Sequence, residues 1–141
     1  MTRKNKLLLL VPALWTSVFD ITITIIHQSK EYWDGDLTKA NEGNPIGALF
    51  MKNHVSGLFI ISGLWIIAIG LLGYFLPRQI KNVFLLFCVI AHSYGASTWL
   101  STRHGFWYAV TFMLFNSAVY CVINNIADRH KTDKAKIEQL L

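Results

Sequence analysis

The sequence predicts an all-α membrane protein, four transmembrane helices in an up-down bundle with both termini in the cytoplasm. Three observations predict it. Charged residues make up 15% of the chain against 53% apolar ones, whereas soluble domains average about 25% charged. The charges are also segregated, leaving four long stretches almost free of them. Finally, Lys and Arg gather on one side of the resulting pattern, as they do in cytoplasmic loops.

The first stretch, residues 7–26, holds Asp20 as its one Asp, Glu, Lys, Arg or His. Met1-Thr2-Arg3-Lys4-Asn5-Lys6 before four leucines imitates a signal peptide. The apolar run continues to Ile26 without a small-x-small cleavage site, so it reads as an uncleaved first span. Residues 55–76 and 106–123 hold none of the five charged or basic types, and residues 83–100 hold His92 alone. Each stretch has, or nearly has, the roughly 20 residues that a helix needs to cross about 30 Å of hydrocarbon. The 141 residues therefore make a single transmembrane domain. Cys88 and Cys121 both fall inside spans, where a disulfide framework is not indicated and small packing residues are expected.

Alternation through four spans puts Arg3, Lys4, Lys6, Arg78, Lys81, Arg129, Lys131, Lys134 and Lys136 on one side, nine of the 13 basic residues. Lys30, Lys39, Lys52 and Arg103 fall on the other. The richer side is the cytoplasm, which places the chain in the cell's inner (plasma) membrane. Trp99, Trp107 and Tyr108 then lie at outer span ends, and Tyr74 and Tyr120 toward inner ones, as interfacial aromatic belts do. The net charge of +5 is explained by this topology, so a nucleic-acid surface is not implied.

Connections 77–82 and 101–105 are short, which makes antiparallel neighbours. The outer connection 28–54 is too long for a turn and carries Glu31, Asp34, Asp36 and Glu42. Within it, residues 46–51 are apolar enough to lie at the interface or dip into the bundle. The tail 128–141 alternates Asp133, Lys134, Lys136 and Glu138, which predicts a short solvated helix. On the second span Ser56, Gly63 and Gly70 recur every seven residues and read as a close-packing stripe.

A carboxylate inside a span costs about 2.5–3.5 kcal/mol on insertion scales, so Asp20 requires a partner. Thr16, Asp20, Thr24 and His27 are spaced by four, four and three, hence share one helix face that should turn inward. Asp20 lies about 10 Å below the outer end of its span and His92 about 12 Å below the end of the third, at 1.5 Å per residue. The two spans run in the same direction, so both residues fall in one layer. Ala91 and Gly95 beside His92 would let a neighbouring helix approach closely. Asn116 on the fourth span lies somewhat deeper and is a further hydrogen-bond candidate. His27, His54, His92 and His104 all belong to the outer half.

With Glu42 and Asn44 in the outer loop, these residues outline a polar pocket open to the extracytoplasmic side. Asp20, His92, Glu42 and His27 make a ligand set suited to a zinc or iron ion. Asp20, His92, Glu42 and Asn44 equally suit acid–base work or a proton relay. The plainest alternative is a buried Asp20–His92 pair that only fixes helix register. No paired metal motif and no nucleophile elbow around Ser93, Ser97 or Thr98 narrows the choice.

Asp20 and Thr24 in the first span, followed by Glu42-Gly43-Asn44-Pro45 in the outer loop, resemble the pattern of an uncharacterised group of small prokaryotic multi-span membrane proteins. Those proteins carry an Asp/Thr first span and an E-x-N-P step. The likeness covers about the first third of the chain. It implies that Asp20, Glu42 and Asn44 belong to one shared feature, and it supplies no activity. The functional expectation is a metal-assisted or acid–base hydrolase acting on a lipid or membrane-borne peptide. The competing expectation is a non-catalytic subunit of a membrane complex, or a small transporter or proton relay. Membrane lipid is the expected partner in both cases, with other membrane subunits or a second copy of the chain as candidates.

Overall fold

The computed structural model describes residues 3–140, with side chains over 4–129, and every regular element among them is helical. In order these are α1 (Arg3–His27), α2 (Lys30–Trp33), a 3-10 turn (Leu37–Lys39), α3 (Pro45–Met51), α4 (Gly57–Phe75), α5 (Arg78–His104) and α6 (Phe106–Leu140). Four helices are long and apolar enough to cross a membrane: Lys4–His27, Gly57–Phe75, Arg78–His104 and Phe106–Arg129.

The connections are tighter than the sequence suggests. Pro77 starts α5 directly, with the fixed φ that suits a helix entrance (−55°), so the turn before it shrinks. Gly105 joins α5 to α6 at φ +104°, a conformation that favours glycine. The tail does not form a separate helix, because no Gly or Pro between Asn124 and Leu140 breaks α6. The charge pattern of Asp133, Lys134, Lys136 and Glu138, and the side chains of Arg3 and Lys131, lie outside the described residues.

Helix α1 is the axis of the packing. Its most apolar window is 44% buried against 17% for α4 and α6, and it packs against α4, α5 and α6. Leu9, Leu10 and Ala13 meet Ile69, Leu85, Cys88, Val89 and Ala127 in one core cluster. Higher up, Ile23 meets Ala96 and Phe112, and Phe19 stacks on Phe112 with centroids 4.3 Å apart.

The expected small-residue stripe on α4 is not a packing seam. Gly63 and Gly70 face open space, while Gly73 is pressed against Leu10 and Leu85. A seven-residue repeat defines a face of a helix but not which way that face turns. Outside the spans, α3 packs on α4 and buries Met51 with Tyr32 and Leu58, leaving Ile46 and Leu49 exposed. The Tyr32 hydroxyl donates to the Val55 carbonyl at 3.2 Å and ties the loop to the entrance of α4.

Candidate functional site

Four residues share the α1 face, and their surroundings differ. The Thr16 hydroxyl bonds back to the carbonyls of Pro12 and Ala13, as Thr in a span commonly does. The Thr24 hydroxyl accepts from the Trp99 indole at 3.1 Å. His27 Nδ1 lies 2.9 Å from the Ile23 carbonyl, and its ring sits against Trp99 and, edge-on, His104. Asp20 alone of the four is within hydrogen-bonding distance of another ionisable side chain, with Oδ2 2.8 Å from His92 Nδ1.

Gly95 makes that contact possible. It stands one turn from His92 on the same face of α5. A Cβ there would lie 2.8 Å from both carboxylate oxygens of Asp20, so the carboxylate occupies the volume that any side chain would fill.

The other ring nitrogen of His92 is also engaged. The indole Nε1–H of Trp65 on α4 donates to His92 Nε2. An indole nitrogen donates and never accepts, so Nε2 must present its lone pair. The single proton of the neutral ring then resides on Nδ1 and is donated to Asp20. The chain Trp65–His92–Asp20 thus crosses three helices with a defined direction. The His92 and Asp20 side chains are 14% and 20% exposed, so the pair is enclosed but not sealed.

Glu42 lies close enough to sense Asp20. Burial pushes its carboxyl above the ordinary range and the Asp20 charge adds to this, while backbone N–H groups of Asn44 and Gly43 pull the other way. Its Oε1 accepts from the Asn44 N–H at 2.7 Å, and its side chain packs over Gly47. Asn44 has a local task, its Oδ1 capping α3 through the Ile46 N–H at 3.0 Å, with Pro45 in the first turn. The Glu42-Gly43-Asn44-Pro45 step is therefore a helix start that also carries a carboxylate toward Asp20. Gln28 holds the segment in place, donating to the Asn41 carbonyl at 2.6 Å and accepting from its N–H at 2.9 Å.

The metal set expected from Asp20, His92, Glu42 and His27 is not assembled. Among the described residues no three His, Cys, Asp or Glu side chains gather to hold an ion. The physical reason is that His92 has no free lone pair and His27 belongs to the layer of Trp99 and His104. Asn116 likewise does not join the pair. It accepts from the Trp15 indole at 3.2 Å and donates to Ser93 at 3.0 Å, a separate link between α1, α5 and α6.

Trp65 and Gln28 do not emerge from the sequence reading. For Trp65 a signal existed: it sits in the middle of an apolar helix rather than at an end. A tryptophan there must find an acceptor for its N–H. For Gln28, no sequence signal points to Asn41. No family model, curated protein or solved structure matches the chain. Fold and site together define a class: an all-helical protein with four membrane-length helices and a half-buried Asp–His–Trp hydrogen-bond chain.

Proposed function

We propose that this chain is a multi-pass protein of the plasma membrane whose Asp20–His92 pair takes up and releases a proton reached from the outer side. Such a centre serves as a relay in a small transporter or in a subunit of a membrane complex. The observation that carries the reading is the 2.8 Å contact between Asp20 Oδ2 and His92 Nδ1 inside a membrane-length helix pair. A carboxylate beside an imidazole in a span is the composition of proton pathways. The hydrolase reading is less well supported, because a general base must offer Nε2 to water or a nucleophile and here Trp65 covers it.

The up-down arrangement with both termini inside is part of the same proposal. Lys6 lies over the Tyr74 ring at 4.8 Å, and Asn5 donates to the Ala127 carbonyl at 3.2 Å. The start of α1 therefore lies beside the end of α4 and a late turn of α6. At the other end, His27 meets His104. The basic-residue bias then assigns the Lys6 end to the cytoplasm.

Two measurements test the proposal. A cysteine at Asp36 should be labelled by a membrane-impermeant thiol reagent in intact cells, while tags at Met1 and Leu141 report the cytoplasm. Labelling only after the membrane is opened refutes the orientation. In nanodiscs, potentiometric titration of wild type minus His92→Gln should show a difference of about one proton per chain. Coincident curves from two folded proteins reduce the pair to a register-fixing contact.

A further inference from the structure

Resting on the proton-site reading, we propose that Trp65 is the positioning residue of that site. Its indole holds His92 neutral, and proton uptake by His92 expels it, loosening α4 from α5.

The argument begins with donor and acceptor roles. In the resting arrangement Nε2 is a pure acceptor, filled by the Trp65 N–H, and Nδ1–H is held by Asp20. On the ring, an incoming proton has one place to go, the Nε2 lone pair. Once Nε2 carries a proton, two N–H donors face each other and the Trp65 bond breaks. Asp20 keeps Nδ1–H and now neutralises an imidazolium. Release of the Nε2 proton restores the lone pair and the indole returns. The same proton enters and leaves, so no other reactant is needed.

The surroundings leave these groups in charge of the event. From α1 the facing charge is Asp20, and from the outer loop it is Glu42, which senses Asp20. Helix α4 carries no Asp, Glu, Lys, Arg or His, and α6 carries none up to Ala127. On α5 itself the nearest titratable neighbours are Cys88, one turn inward, and the exposed Tyr94.

The consequence for α4 follows from where the bond sits. Inward of Trp65, α4 is held through Ile69 and Gly73 and by the Lys6–Tyr74 contact, and at its outer end Leu58 packs with Tyr32, Met51 and Ile25. The Trp65–His92 bond ties the middle of α4 to α5 between these two anchorages. Losing it therefore removes a polar tie between the two helices, while the apolar contacts remain.

The test uses full-length protein in nanodiscs with 15N-labelled His and Trp rings. His92 is assigned by loss of its signals in His92→Gln, and Trp65 by loss in Trp65→Phe. At neutral pH His92 should carry its proton on Nδ1, and the Trp65 indole N–H should have a hydrogen-bonded shift. On acidification the Trp65 shift should move with the same midpoint as the His92 ring. Trp65→Phe keeps an aromatic ring but removes the donor that favours the neutral form, so the midpoint should rise by roughly half to one pH unit. If His92 titrates while the Trp65 indole stays unmoved, or if Trp65→Phe leaves the midpoint in place, the positioning role is overturned and the proton site stands. A His92 that never titrates removes both. Should Trp65→Phe misfold, the wild-type indole titration alone decides.

Discussion

Substituting Gly95 by Ala adds one methyl group, and the structure fixes where it goes. The new Cβ would sit 2.8 Å from both oxygens of Asp20 and 3.1 Å from its carboxyl carbon. Asp is short, so its carboxylate leaves the methyl only by rotating away from His92. That costs the charge-assisted bond at 2.8 Å, about 1.5–3 kcal/mol for a hydrogen bond to a charged group. Residual crowding where helices meet adds about 1 kcal/mol or more. The better helix propensity of Ala returns about 1 kcal/mol. The net expectation is a loss of about 1.5 to 3 kcal/mol. Gly63→Ala is the matched control, because its Cβ meets nothing within 4 Å, and it should be neutral or stabilising by up to about 1 kcal/mol. Reversible SDS unfolding in mixed micelles, followed by circular dichroism, measures both. The reasoning is refuted if Gly95→Ala is as stable as wild type and keeps its proton uptake, or if the two substitutions behave alike.

Two further outcomes follow from the outer loop. The Glu42 carboxyl is raised by burial, so the docked loop binds its proton more tightly than the unfolded chain does. Docking is then most favourable below the ordinary carboxylate range and weakens as pH rises through the raised value. Amide exchange of residues 44–51, corrected for intrinsic rates, should show wild-type protection falling from acid to neutral pH, and Glu42→Gln should abolish that trend; equal trends in both proteins refute it. Asn44→Ala removes the Oδ1 cap on Ile46 at a cost of about 1 kcal/mol, so α3 amides should exchange roughly fivefold faster, while the His92 titration stays put. A changed His92 midpoint would mean that Asn44 acts on the pair directly.

How much of this was legible depends on which physical quantity a sequence records. Spacing along one chain records depth and face. Asp20 and His92 could be put in the same layer because both are counted from outer span ends, and a carboxylate in hydrocarbon must have a partner. Asn116 shows the limit. Its depth suggested a place near the pair, yet it turns to Trp15 and Ser93. The rotation of α6 about its own axis decides this, and hydropathy does not record it.

By itself, then, the sequence determined four apolar helices of membrane length, because segregated charge leaves them no other place to be buried. It also determined that Asp20 needs a polar neighbour. Only the tertiary structure decided which neighbour and on what terms. It brought Trp65 onto the free nitrogen of His92, emptied Gly95 for the Asp20 carboxylate and kept His27 in another layer. It turned Gly63 and Gly70 outward and Gly73 inward. Each of these depends on how one helix is rotated against another. That rotation is set by the summed packing of side chains on all the spans at once, and no periodicity within a single span contains it.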